Sequence, residues 1–258
     1  MLWQGRKALN RFPCDISLRK ITLRVGNRTV AGIGALVHAM GYYDPNNMYF
    51  LEEIFSKGLC TSFYDVGANI GIYSLIVASS SPFAKVAAFE PHPKTFLLLQ
   101  ENISLNGFQN VRPWPVALGD ENRTIEFTDD AGSPVNRVVV DEKPSSPVIV
   151  VQMRTGDALV QDTGLVPDVL KIDVEGFENQ VLWGFKNTLS SIKLLLVECQ
   201  NLSWTTQILS GEFGFLGPYK INFRARRLAQ NASPPWEDWL FVQPSFLKAL
   251  SQAGFNVA

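Results

Sequence analysis

From residue 60 onward, short apolar runs alternate with stretches of helical periodicity. Ser62–Val66 predicts a strand and Ile70–Ala78 a helix. Lys85–Phe89 predicts a second strand, followed by a helix over Thr95–Leu105 that ends at Asn106-Gly107. Val111–Val116 reads as a third strand, weakened by Pro113 and Pro115. This βαβαβ rhythm implies parallel pairing with right-handed crossovers. The rhythm breaks over residues 119–153. There Thr124–Phe127, Asn136–Val140 and Val148–Met153 predict strands joined by turn-rich segments with Pro134, Pro144 and Pro147, an antiparallel excursion at the sheet edge. It resumes with a strand at Val169–Asp173, a helix at Glu178–Asn187, a strand at Ile192–Cys199 and a helix starting at Ser203–Leu209. Tyr219–Phe223 and Trp239–Val242 predict the last two strands, and Ser245–Ala253 a closing helix.

Upstream, the segment from Ile21 to Val30 alternates with period two about Gly26-Asn27, a hairpin signal. Asn46 or Asn47 is placed to cap a helix carrying Phe50, Leu51, Ile54 and Phe55, stopped by Gly58. Residues 1–59 therefore read as a lead-in packed on the core, and residues 60–258 as the main domain.

Composition narrows the class. Of 258 residues, 46% are hydrophobic and 18% charged, enough apolar surface to fold rather than stay disordered. A formal charge of −1 gives no global affinity for nucleic acid. Seven basic residues and Asp15 fall in the first 28 positions, but they alternate with apolar ones and read as solvated strand faces. Cys14, Cys60 and Cys199 form no Cys-x-x-Cys pair, which excludes a zinc knuckle or a thioredoxin motif and suits a reducing compartment. No apolar run is long enough to span a membrane, and the start lacks a signal-peptide core. A cytoplasmic protein is expected. The Asn-x-Ser/Thr triplets at Asn27, Asn102, Asn122, Asn201 and Asn231 are read as chance matches.

The informative feature is where acids fall. Asp65, Glu90, Asp173 and Glu198 each follow an apolar run, at the ends of four predicted strands. In an open parallel sheet, ligands bind beyond the carboxyl ends of the strands. Around the first acid runs Asp65-Val-Gly-Ala-Asn-Ile-Gly71, where Gly67 and Gly71 permit a tight turn. The Gly-x-x-x-Gly spacing departs from the dinucleotide fingerprint, and no P-loop lysine follows. Glu90, at the tip of the adjacent strand, is placed to accept ribose hydroxyls.

Four segments carry a resemblance: residues 65–74, Phe89-Glu-Pro-His-Pro93, Ala117-Leu-Gly-Asp120 and Leu170-Lys-Ile-Asp-Val-Glu-Gly-Phe-Glu178. Together they resemble the FkbM family of S-adenosylmethionine-dependent methyltransferases, over about residues 60–200. The resemblance implies a class I fold, a mostly parallel seven-stranded α/β sheet with an antiparallel final hairpin. It implies that Asp65, Gly67 and Gly71 shape the methionine end of the cofactor pocket and that Asn69 reaches the cofactor carboxylate. Glu90 would hold the ribose, and Ala117 and Leu118 would line the adenine pocket, with Asp120 a candidate for the adenine amine. Asp173 borders the same pocket.

Lys171, Asp173 and Glu175 share one strand face. Lys171 needs a counter-charge, which Asp65 or Asp173 can supply; either the ion pair positions Asp173, or Lys171 or Asp173 helps remove a proton from an acceptor hydroxyl. Candidate bases are Asp173, Glu175, Glu198, His92 and His38. No dedicated metal site is read, although a divalent ion on Asp173 and Glu198 would be an alternative to a base. Trp204, Trp236 and Trp239 are candidates for an acceptor platform, and Arg224, Arg226 and Arg227 for an anionic acceptor. The expected activity is methyl transfer to a hydroxyl of a sugar, glycan or natural product, with no nucleic acid partner and the oligomeric state open. The rivals are a nicotinamide-dependent oxidoreductase and a non-enzymatic nucleotide-binding module.

Overall fold

In the computed structural model, described over residues 13–25, 44–129, 136–139, 147–199, 201–230 and 238–257, the chain opens on a hairpin. Strand β1 (Cys14–Leu18) pairs antiparallel with β2 (Ile21–Val25) around Arg19, whose φ of 55° makes the turn. The predicted turn at Gly26-Asn27 and its second arm lie outside the described residues. Helix α1 (Pro45–Ser56) is capped by Asp44 rather than Asn46 or Asn47, with proline in the first turn. Asp44 wins because its carboxylate accepts the Asn47 N–H, leaving Asn47 buried inside the helix. Arg19 and Lys20 pair with Glu52, and Arg24 with Asp15, so this part of the basic lead-in is neutralised within the chain.

The core repeats strand and helix: β3 (Ser62–Val66), α2 (Ile72–Ser80), β4 (Lys85–Phe89), α3 (Pro93–Leu105) and β5 (Val111–Trp114). Next come β6 (Ala117–Leu118), β7 (Arg123–Thr128), β8 (Val148–Arg154) and α4 (Gly156–Thr163). Then follow β9 (Val169–Ile172), α5 (Glu178–Gly184), β10 (Leu194–Val197) and α6 (Leu202–Thr206), the last running into a π-helical turn at 207–212. The chain closes with β11 (Leu216–Asn222), β12 (Arg227–Ala229), β13 (Trp239–Val242), α7 (Leu247–Gln252) and β14 (Asn256–Val257).

The main sheet has the order β14-β12-β11-β13-β10-β9-β3-β4-β5. Strands β5, β4, β3, β9 and β10 run parallel, and β13 is inserted antiparallel between β10 and β11. Those seven strands match the expected mostly parallel class I architecture with its antiparallel end. The expectation needs one extension: β12 and β14 widen the sheet to nine strands.

Both sheet faces are buried, as parallel sheets require. Phe63, Ala88 and Leu196 face one apolar cluster with α1, α2 and α3, while Tyr64, Ala87 and Leu195 face a second with α4 and α5. The edge of β2 is tied to α3: Asn102 and Asn106 accept the backbone N–H groups of Arg24 and Thr22 at 2.6 and 2.8 Å. Asn102 is fully buried, so its triplet is no exposed acceptor for a sugar. Arg226 pairs with Glu53 and fastens the β11–β12 turn to α1.

The 119–153 stretch corrects an expectation. Strands β7 and β8 are antiparallel, but with β6 they make a separate three-stranded sheet instead of an edge of the main one. Val138 joins it through a single bridge to Phe127, in place of the strand predicted over Asn136–Val140, of which Val140 lies outside the described residues. Phe127 and Val138 then reach the cavity described next. Helix α4 was not anticipated, and residues 207–212 form a π-helical turn where an α-helix was expected. Among the described residues no helix is long and apolar enough to cross a membrane.

Candidate functional site at the strand tips

The chain runs β3 to β4 to β5 in one direction, then returns to place β9 and β10 on the other side of β3. A crevice opens at such a switch point, beyond the carboxyl ends of the strands. Here it is a cavity of about 260 Å³. Asp65, Glu90, Lys171, Asp173, Glu175 and Glu198 line it, so the four strand-end acids do converge.

Asp65 sits inside β3, opposite Lys171 of β9 in the parallel register. It is buried, and its Oδ2 accepts the Ser74 N–H at 3.0 Å and the Ser74 hydroxyl at 2.7 Å. Its carboxylate thereby holds the first turn of α2. Burial raises its pKa, and Lys171 and Ser74 oppose the rise.

The glycine turn has the positive φ that its sequence suggests, 80° at Gly67, and a tertiary basis besides. A Cβ on Gly67 would lie 1.8 Å from the Asp173 carbonyl oxygen, so this glycine lets the end of β9 approach β3. Gly71, at φ 94°, caps α2, and a Cβ there would meet Leu99 Cδ1 at 2.6 Å. Gly71 itself does not line the cavity, whereas its neighbours Ile70 and Ile72 do. Asn69 does, held at φ 51° with its N–H donated to Glu90 Oε2 at 3.0 Å. Its side-chain Oδ1 is buried without a hydrogen-bond partner. An orphaned acceptor in a cavity wall is a place for a ligand donor.

Glu90 is buried at the tip of β4, with Oε1 accepting the His92 N–H at 2.9 Å. Each carboxylate oxygen keeps a second lone pair for a ligand hydroxyl. Burial pushes the Glu90 carboxyl up to about 7, helped by the charges of Asp65 and Asp173 and opposed by the two N–H groups. Ala117 and Leu118 line the cavity as expected, together with Val116. Asp120 is exposed and does not line it.

Lys171 is 1% exposed. Its ammonium lies 2.9 Å from Asp173 Oδ2, 3.9 Å from Asp238 Oδ1 and 4.6 Å from the centre of the Tyr73 ring. Burial opposes its charge, but Asp173, Asp238 and Asp65 outweigh burial and hold it protonated. Asp173 is therefore the direct counter-ion, and Asp65 acts on Lys171 by charge from the neighbouring strand. Glu175, at φ 56°, has its pKa raised by burial and by Asp173 and Glu178. Glu198 is pushed up to about 8 by burial, with Asp173 and Asp238 adding to it.

Sequence reading missed the support behind this site. Asp238 Oδ2 accepts from Asn47 Nδ2 at 3.0 Å and from the Tyr73 hydroxyl at 3.4 Å, and Tyr73 also donates to Asp44 Oδ2 at 2.6 Å. The Asp44-Pro45 pair is a helix-start signal, but nothing local links it to Asp238. His92 is buried in the cavity wall, with Nε2 3.0 Å from Asp129 Oδ1. His38 and Trp236 lie outside the described residues. Trp239 is buried in β13 under Lys220, and Trp204 is half-buried on α6; neither lines the cavity. Among the described residues no group of three or more acidic, histidine or cysteine side chains is arranged to hold a metal ion.

The description "Methyltransferase FkbM domain" matches residues 65–225. The hexuronic acid methyltransferase AglP of Haloferax volcanii is 36% identical over 137 residues, covering 52% of this chain and 54% of that protein. Methyltransferase sdnD of Sordaria araneosa is 31% identical over 151 residues, covering 46% and 58%. The chain thus spans about half the length of the curated relatives it matches. Among solved structures, a SAM-dependent methyltransferase from Agrobacterium tumefaciens aligns with a TM-score of 0.48 at 11% identity, over 90% of this chain and 70% of that one.

Proposed function

Because the chain belongs to the FkbM methyltransferase family, we propose that it moves a methyl group from S-adenosylmethionine to a hydroxyl oxygen of a sugar, glycan or natural product. One observation carries this reading: acids from four strand ends and a buried lysine converge on a single cavity at the switch point of the sheet. The residues present fit the cofactor. Asn69 Oδ1 offers a buried unpaired acceptor for an amine, and Glu90 offers two oxygens for a pair of hydroxyls. Ala117, Leu118 and Val116 give an apolar wall for a base. The bound cofactor supplies a methyl group activated on a positive sulfur.

An alcohol is a poor nucleophile and gains from a positioned base. In this reading Asp173 takes the acceptor proton. Lys171 orients Asp173 through the 2.9 Å contact, and Glu175 and Glu198 border the same space. The relative named for hexuronic acid favours an acidic sugar as the first acceptor to test. A formal charge of −1 gives no general affinity for nucleic acid as the acceptor. The three unbridged thiols support a reducing, cytoplasmic setting. The test is to incubate the full chain with methyl-labelled S-adenosylmethionine and glucuronoside, glycan and metabolite extracts. Label in an alkali-stable ether on a sugar supports the reading, and no label in any fraction contradicts it.

Glu90→Ala is expected to weaken cofactor binding by about 1.5–3 kcal/mol, the scale of hydrogen bonds to a charged group. Isothermal titration checks this, and unchanged affinity removes the ribose role. The raised Glu90 pKa adds a pH dependence. The folded protein holds this proton up to about 7, so its contribution to folding stability is present below the ordinary carboxylate range and is lost as pH rises through about 7. Cofactor affinity runs the other way, rising through the same window as the carboxylate forms. Glu90→Gln should flatten that rise.

A further inference from the structure

The charges that line the cavity do not balance. Five carboxyl groups face one ammonium, and that ammonium is already engaged by Asp173 inside the cavity and by Asp238 behind it. Glu90 is met by backbone N–H groups and Asp65 by Ser74. Arg137 acts on Glu175 by charge from the small sheet. The lining therefore holds more carboxyl groups than cations in a buried setting, where charge interactions are stronger than in water.

Resting on the cofactor reading above, we infer that this site distinguishes the methyl donor from its demethylated product by charge. S-adenosylmethionine carries one positive charge more than S-adenosylhomocysteine, binds more tightly, and does so by a margin that widens as pH rises.

The titrating groups support the pH dependence. Glu198 follows β10, facing Asp173 and Lys171 of the β9 end and Asp238 ahead of β13. Asp238 in turn feels Asp44 from the start of α1, and Lys220 of β11 donates to its carbonyl oxygen at 3.2 Å. Glu178 of α5 bears on Glu175 and on the neighbouring Cys199. Burial, with these like charges, pushes Glu90 up to about 7 and Glu198 up to about 8. Near neutrality both are partly protonated. A cation entering the cavity favours their ionised forms, so its binding expels protons, and by linkage proton removal strengthens its binding. The product shares the coupling of Glu90 to the ribose hydroxyls, but its neutral thioether adds no charge coupling to Glu198. Once the methyl group has left, the charge that held the ligand is gone, which speeds product release.

The experiment is calorimetric titration of the full chain with S-adenosylmethionine and with S-adenosylhomocysteine. It is run at about pH 6 and about pH 8, in two buffers of different ionisation heat. The donor is expected to bind at least about tenfold more tightly than the product at the higher pH and within about threefold at the lower. Both ligands should release protons from Glu90 through the shared ribose, and the donor should release more than the product. Glu198→Gln should narrow the gap at the higher pH by weakening the donor alone; should that variant not fold, the pH series on the unaltered chain decides. Product binding as tight as donor binding at the higher pH, or a gap that does not move with pH, overturns the inference while leaving the cofactor reading intact. Failure of both ligands to bind overturns the cofactor reading and the inference with it.

Discussion

Lys171→Met is expected to cost about 3–5 kcal/mol of folding stability, the range for breaking a buried ion pair from one side. The lysine is 1% exposed and stands between Asp173 and Asp238, with Asp65 opposite it in the strand register. Methionine fills most of the volume but leaves these carboxyls without a cation. Asp65 and Asp238, both buried with raised pKa, would favour the neutral form still more, so the variant should lose stability further as pH rises. Urea unfolding at neutral and mildly acidic pH measures both effects. A loss below about 1 kcal/mol would mean that Lys171 is not the counter-ion these buried carboxyls depend on.

Asp173→Asn is expected to lower turnover roughly 10²–10⁴-fold, the usual scale for losing a general base. Asparagine keeps the shape and leaves Lys171 its second partner, Asp238, at 3.9 Å. Cofactor affinity should therefore change by less than about tenfold. Single-turnover kinetics with the acceptor found by the labelling screen, set beside calorimetric affinity, separate the two effects. Turnover within about threefold of the unaltered chain would take Asp173 out of the chemistry.

The strand-and-helix rhythm was legible because both faces of the parallel strands are buried. Runs such as Leu194–Val197 stand out against the amphipathic stretches between them. The four strand-end acids were legible for the same reason, since a charge directly after a buried run must meet something. The turn at Arg19 that joins β1 to β2 was missed because no glycine or asparagine marks it, whereas Gly26-Asn27 is the stronger local signal. Helix α4 had readable ends, with Thr155 capping Ala158 N–H and Gly164 in the left-handed region, but the proline-rich stretch before it masked them.

Gly67 and Gly71 were read as a tight turn, and both sit at positive φ. What the sequence hid is that their missing side chains also admit the Asp173 carbonyl and Leu99, contacts set by tertiary packing. The brace of Asp44, Asn47, Tyr73 and Asp238 has no local signature, because insertion of β13 beside β10 is what brings Asp238 to α1 and α2.

The most direct test is a crystal structure of the full chain grown with S-adenosylhomocysteine. Density is expected in the crevice between the tips of β3, β4 and β9, with the ribose hydroxyls on Glu90 and the amino group near Asn69. An empty crevice, or the same ligand resting elsewhere on the surface, would contradict the account.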